Sequence, residues 1–126
     1  MRYNRLIKNQ RSDIMVNIYD TANQMEQDLK QTQQYQELKA AYEALKADEK
    51  AYACFKELQD LQGQLQQKQM QGNITEEDFK ELQEAGAKAK DFETLQTLML
   101  KEQALSMLMD EVSKIIFQPV QELYQD

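Results

Sequence analysis

Residues 92–120 read FETLQTLMLKEQALSMLMDEVSKIIFQPV, and this stretch decides the fold of the chain. It contains no glycine, and no proline before Pro119, so it favours one long helix. Three apolar triplets interrupt its polar residues: Leu98-Met99-Leu100, Met107-Leu108-Met109 and Ile115-Ile116-Phe117. A helix that is covered on one side needs an apolar residue only at every third or fourth position. Three apolar residues in a row therefore predict cover on more than one side, and in a short chain the second cover can come from another molecule.

The first two triplets are predicted to form an oligomer or partner interface, which consists of Leu98, Met99, Leu100, Met107, Leu108 and Met109. Methionine is flexible and polarizable, and it is common on surfaces that accept several partners. The alternative, which the residues leave open, is that this set fills the core of its own chain. The third triplet, at the end of the long helix, is predicted to pack within the fold rather than to bind a partner.

The rest of the chain is predicted to be helical, with no strands. Apolar residues recur three or four positions apart from Ile18, again from Tyr35 and again from Tyr52. Gly72 and Thr75 indicate a tight turn, because glycine ends helices in the left-handed conformation and threonine caps the next helix. Two helices joined by so short a loop pack antiparallel.

We therefore expect an all-α fold, an elongated antiparallel helical hairpin or bundle of about five to six helices. Asp91 is predicted to restart or kink a helix. Pro119 either ends the long helix or begins a short tail helix. Asp48 is predicted to cap the helix that follows it, because its carboxylate can accept a hydrogen bond from the first turn.

The 126 residues suffice for one domain, which we assign to residues 15–126. Residues 1–14 are a basic extension, with a net charge of 4 − 1 = +3 from Arg2, Arg5, Lys8 and Arg11 against Asp13, whereas the whole chain has −7. Met15 follows at once. The extension, ordered or disordered, either precedes the natural start or is a basic arm that contacts an acidic partner.

Composition excludes several kinds of chemistry within one chain. There is no histidine, and Cys54 is the single cysteine, so a Cys/His zinc site, a cysteine-held iron–sulfur cluster and a histidine-dependent triad cannot form. Cys54 is predicted to be a buried core residue rather than a reactive thiol. Glu102 and Asp110–Glu111 interrupt the apolar surface of the long helix. They are predicted to face solvent or pair with Lys101 and Lys114, and a carboxylate metal site is the alternative. We predict no catalytic, metal or cofactor site.

The acidic balance disfavours nucleic-acid binding, which needs clustered lysine and arginine. No run approaches the roughly twenty apolar residues that a membrane span needs. The sequence has no secretory signal. A cytoplasmic protein without a membrane span is therefore expected.

Several short motifs resemble those of one family: Asn17-Ile18-Tyr19-Asp20, Phe55 with Leu58 and Gln59, Met70-Gln71-Gly72, and Ile116-Phe117-Gln118-Pro119-Val120. From about Val16 to Tyr124 the chain resembles the YlbF/YmcA family of small helical bacterial proteins, most of all its YheA-like branch. The resemblance implies an all-helical fold that self-associates, and a start at Met15. These motifs consist of packing and turn residues, so they specify fold rather than chemistry.

Better-known members of that family act as regulatory adaptors in competence, biofilm formation and sporulation. They work in a complex that is linked to an RNA-degrading endonuclease and associated with cysteine-bound iron–sulfur clusters. The lone Cys54 departs from that pattern. The sequence does not identify a partner, an oligomer size or a pathway. It favours a non-enzymatic regulatory adaptor that forms a homodimer or higher homo-oligomer and docks a protein partner. The alternatives are an RNA-processing-associated factor that binds nucleic acid or an endonuclease complex, and an enzyme with a carboxylate site.

Overall fold

The computed structural model describes residues 17–125, which form five helices with no strand among them. The helices are α1 (Ile18–Lys30), α2 (Gln33–Ala47), α3 (Glu49–Gln71), α4 (Glu76–Ala89) and α5 (Glu93–Leu123). The predicted all-α class and the predicted number of helices are confirmed. The basic extension at residues 1–14 and the start at Met15 lie outside the described residues.

The described residues fall into two compact units that divide between Thr32 and Gln33. The prediction of one domain over residues 15–126 stays a prediction. The first unit contains α1, whose N-terminus is capped by Asn17: its side chain accepts hydrogen bonds from the N–H groups of Tyr19 and Asp20. The apolar stripe from Ile18 does form a helix, yet none of the residues of α1 is buried.

The second unit is built on the antiparallel pair of α2 and α5. The Thr94 hydroxyl, near the start of α5, donates to the carboxylate of Asp48, just after the end of α2, at 3.1 Å. Further along, Lys101 pairs with Glu37 at 2.9 Å. Later residues of α5 therefore meet earlier residues of α2. Asp48 also accepts a hydrogen bond from the N–H of Ala51, which confirms its predicted role as a helix cap.

Helices α3 and α4 form the predicted hairpin. Gly72 ends α3 with φ of +75°, the left-handed conformation that glycine adopts at little cost. Thr75 then begins α4 in a reciprocal capping box with Asp78. Asp78 also pairs with Lys68 at 2.6 Å, which ties the last turn of α3 to the first turn of α4.

The core of the second unit is narrow and consists of small residues. It contains Ala41, Leu45, Ala51, Cys54, Leu58, Ala85, Ala89, Leu95 and Leu98. Alanines at the contacts let the helices approach closely. Cys54 lies in this core as predicted, and burial raises the pKa of its thiol, which disfavours the reactive thiolate.

One predicted boundary is confirmed and another needs correction. The helix restarts around Asp91, which is one of the two predicted outcomes: α4 ends at Ala89, the chain turns, and α5 begins at Glu93. Pro119 neither ends α5 nor begins a new helix, because α5 continues through it to Leu123. A proline inside a helix removes one backbone hydrogen bond. By that point α5 is already long, so it extends across the gap without a new nucleation step.

Candidate association surface

The distal half of α5, Met109–Leu123, is the most apolar exposed surface of the second unit. Its large exposed side chains are Met109, Ile115, Ile116, Phe117, Val120 and Leu123. The prediction that the third triplet packs within the fold was wrong for this chain, because Ile115, Ile116 and Phe117 are 73%, 50% and 57% exposed. The reason is geometric: α2 is much shorter than α5, and its antiparallel course does not reach the distal half.

The six residues predicted to form an interface are divided by the structure. Leu98 is only 2% exposed and lies in the core, which is the alternative that the sequence left open. Met99 is half-buried against that core. Leu100 and Met107 are exposed, Leu108 is half-buried, and Met109 is 41% exposed. The second triplet therefore supplies more of the accessible apolar surface than the first.

The covered and uncovered parts of α5 lie on one continuous face. Successive residues of an α-helix are about 100° apart, so residues spaced by three, four or seven share a face. The buried Leu95 and Leu98 lie on the same face as Met109 and, further along, Ile116 and Val120. Helices α2 and α3 cover the start of this face, and its distal continuation is exposed. The residue types of this face are thus those of a packed helix face along its whole length, although α2 and α3 cover only its start.

A groove of about 600 Å³ lies between α3 and α5, beside the distal half. Its lining consists of Gln62 from α3 and Met99, Glu102, Gln103, Ser106, Met107 and Asp110 from α5. A neighbouring groove of about 370 Å³ is lined mainly by aromatic and aliphatic side chains of α2, α3 and α5, and Glu102 lies at its edge as well. Glu102 is therefore the acidic group that the two grooves share.

Glu102 differs from the other carboxylates near α5. Desolvation raises its pKa, and the described residues provide it with no ion pair or hydrogen bond. Glu102 was predicted to face solvent or to pair with Lys101: it is exposed, and the pair is not made because Lys101 binds Glu37. Hydrogen bonds from Gln33 and Lys101 lower the pKa of Glu37. Because Glu102 is exposed, this desolvation is partial: it disfavours the ionised form relative to a carboxylate in water.

An aromatic cluster holds α2 against α3, and sequence reasoning did not find it. The ring centroids of Tyr42, Tyr52 and Phe55 lie 5.9–6.3 Å apart. The hydrogen bond between the two tyrosine hydroxyls raises the pKa of Tyr42 and lowers that of Tyr52. Tyr42 and Phe55 also form part of the wall of the smaller groove. The signal lay in aromatic residues on the apolar stripes of both helices.

Between residues 17 and 125, no group of three or more cysteine, aspartate or glutamate side chains is placed to hold a metal ion. None of the five helices is both long enough and apolar enough to cross a membrane.

Comparison with known proteins matches residues 18–121 to the family model described as "Control of competence regulator ComK, YlbF/YmcA". A "UPF0342 protein" of Lacticaseibacillus casei (strain BL23) is 51% identical over 112 residues, which are 88% of this chain and 98% of the relative. A "UPF0342 protein" of Ligilactobacillus salivarius (strain UCC118) is 44% identical over 110 residues, 87% and 96% of the two chains.

Two solved structures are also similar. A "Protein of Unknown Function (DUF964) from Bacillus stearothermophilus" is 36% identical, with a TM-score of 0.79 over 88% of this chain and 98% of the other. The structure described as "yheA from Bacillus subtilis" is 33% identical, with a TM-score of 0.68 over 86% and 100%. The family match spans nearly all of the described residues, and these neighbours share both sequence and fold; the chain belongs to the YlbF/YmcA family.

Proposed function

We propose that this protein is a non-enzymatic regulatory adaptor that self-associates, as a homodimer or higher homo-oligomer, and docks a further protein. The surface for self-association is Met107–Met109 together with the distal half of α5. The observation that carries the proposal is the exposure of Ile115, Ile116 and Phe117 on a helix whose proximal half is packed in the core.

The size of the surface supports this assignment. The distal half carries six large exposed apolar side chains. A large apolar side chain has an area of about 150–250 Å². If about half of each is exposed, the patch amounts to roughly 500–600 Å² per copy. The largest contiguous apolar patch on a typical monomer is about 300–600 Å², and a stable interface buries about 800 Å² per partner. The distal half is therefore at the upper end of what a monomer exposes, and a stable interface would also include Met107 and Leu108.

The family supports a regulatory role. Its model is described as control of a competence regulator, which favours an adaptor over an enzyme. A cytoplasmic location belongs with this proposal, because such regulators act on intracellular partners. The described residues provide no observation in favour of the RNA-processing alternative, and the basic extension that motivated nucleic-acid binding lies outside them.

Light scattering of the purified chain, coupled to size exclusion at micromolar concentration, tests self-association. We expect at least twice the chain mass of 14.8 kDa. Met107→Glu and Phe117→Glu should each shift the protein towards the monomer, because a buried unpaired carboxylate is costly. Phe79→Glu is the matched control, since Phe79 is 50% exposed on α4, away from the proposed surface. A wild-type monomer, or three variants that behave alike, would show that the proposal is wrong.

A further inference from the structure

We infer that the groove between α3 and α5 is the seat for the distal half of α5 from a second copy of this chain. Two copies then form a symmetric dimer in which the distal half of each α5 lies in the groove of the other copy. The inference rests on the proposed self-association and adds which two surfaces meet. The groove is the one of about 600 Å³ that has Gln62 on one side and Met99, Glu102 and Met107 on the other.

Helix α3 begins a layer on α5 that a second helix could continue. At the proximal end of α5, α3 covers one face, and Leu58 and Phe55 of α3 lie with Leu95 and Met99 around one small cleft. Further along, the groove opens between Gln62 and Met107. A helix that enters at this point continues the layer that α3 begins. It fills the groove and packs on the side of α5 that carries Met99 and, about five turns further along, the exposed Phe117.

The net charge of the chain limits which segments can meet. The chain carries −7, so two copies repel each other unless they meet through uncharged segments. Residues 115–121 of α5 read IIFQPVQ and contain no charged side chain. The groove presents two carboxylates, Glu102 and Asp110, and amides from Gln62 and Gln103. An uncharged apolar segment enters it without bringing a like charge next to Glu102.

The positions of groove and distal half on α5 permit a symmetric pairing. Groove and distal half lie on the same helix, one before and one after its midpoint. When two α5 helices align antiparallel, the distal half of each lies beside the proximal half of the other. With one two-fold axis, each distal half occupies the groove of the other copy, and the assembly is closed, as in isologous dimers. A head-to-tail arrangement leaves one groove open at each end and leads to open chains of molecules.

Photocrosslinking tests the seat directly. Phe117 is replaced in the full chain by the photoreactive p-benzoyl-phenylalanine, and equal amounts of isotopically light and heavy protein are mixed before irradiation. We expect mixed light–heavy adducts on groove residues, above all Met99 and Met107, because benzophenones insert readily into methionine side chains. The same replacement at Phe79, which has similar exposure, should give no mixed adducts in the groove.

A second measurement uses Glu102. Seating the apolar segment removes water from its carboxylate, so the dimer should disfavour the ionised form. Glu102→Gln should tighten the dimer by about tenfold or more, because the amide carries no charge that loses its water when the segment is seated. The wild-type dimer should tighten as the pH falls from 7 to 5, and the variant should lose most of that dependence.

The other titratable groups around the two grooves are Tyr35, Lys39 and Tyr42 from α2 and Asp110 from α5, whereas α3 contributes the amides Gln59 and Gln62. Glu84→Gln is the charge-matched control, because Glu84 is exposed on α4 and lines neither groove. Its dimer should retain the wild-type pH dependence.

The outcomes separate the inference from the proposed function. A dimer whose mixed adducts map away from the groove, or one that Glu102→Gln and Glu84→Gln affect equally, contradicts the proposed contact but leaves self-association standing. A wild-type protein that is monomeric at micromolar concentration overturns both.

Discussion

Truncation of Phe117 to alanine should weaken self-association in proportion to the apolar area that it removes. Phe117 is 57% exposed in the single chain. With about 200 Å² for a phenylalanine side chain, roughly 110 Å² is available for burial. At about 25 cal/mol per Å², full burial contributes about 3 kcal/mol in each copy, or about 6 kcal/mol in a symmetric dimer. Burial of half that area gives about 3 kcal/mol.

The dissociation constant of Phe117→Ala should therefore rise by roughly a hundredfold to ten-thousandfold, since about 1.4 kcal/mol corresponds to a factor of ten. Sedimentation equilibrium over a wide range of concentrations measures the constant. The far-ultraviolet circular dichroism should change little under conditions where both proteins are folded, because Phe117 lies outside the core of its own chain.

Phe79→Ala is the control, because it removes a side chain of the same type with 50% exposure on α4. Equal dissociation constants for the two variants would refute the assignment of the surface. A Phe117→Ala protein that is less stable even as a dilute monomer would also refute it, because that result would place the ring within the fold of one chain.

Three further predictions concern the fold, and urea unfolding followed by circular dichroism measures each. Leu45→Ala should lower the free energy of unfolding by about 3 kcal/mol because Leu45 is fully buried, whereas Leu100→Ala, at a 64% exposed site, should change it by less than about 0.5 kcal/mol. At Gly63 and Gly72 an added Cβ would meet no atom, so backbone conformation alone decides how alanine changes the free energy of unfolding. Gly63→Ala, inside a helix, should raise it by about 1 kcal/mol. Gly72→Ala should lower it by a similar amount, because φ there is +75°. Lys68 and the α4 cap hold the pKa of Asp78 below its usual range, so the ionised carboxylate stabilises the fold above about pH 4. This stabilisation is lost as the pH falls through the lower pKa of the folded state. The difference in free energy of unfolding between wild type and Asp78→Asn should therefore shrink over that pH range, and a constant difference would contradict this cause.

The turns of this protein could be predicted because their causes are local. The conformation of Gly72 and the cap at Thr75 depend on residues within one helical turn, and the structure has both where the sequence places them. Asp48 is a third case, since its carboxylate accepts a hydrogen bond only three residues away. Such interactions are specified before the helices pack, so a single sequence suffices to identify them.

Which part of α5 is buried could not be predicted, because burial depends on how far along α5 the helices α2 and α3 extend. The apolar triplets show that α5 needs cover on more than one side, but they do not show where α2 ends against it. Glu37 and Lys101, which form an ion pair across the two helices, are 64 positions apart in sequence, so their contact could not be read from local patterns. Leu98 was therefore assigned to an interface although it lies in the core, and the third triplet was assigned to the fold although it is exposed.

The distribution of apolar side chains links the fold to the association surface. Among the described residues, the buried set contains leucine, alanine and cysteine, whereas Ile116, Phe117 and Val120 are about half exposed. Core alanines bury little area each, so the second unit gains limited stability from its own packing. A partner that covers the distal half of α5 would add its own apolar burial to that of the core. Because a partner that binds only the folded chain stabilises it by mass action, self-association would also support the fold. This coupling gives a physical reason why a chain of this size keeps its bulkiest apolar segment outside its own core.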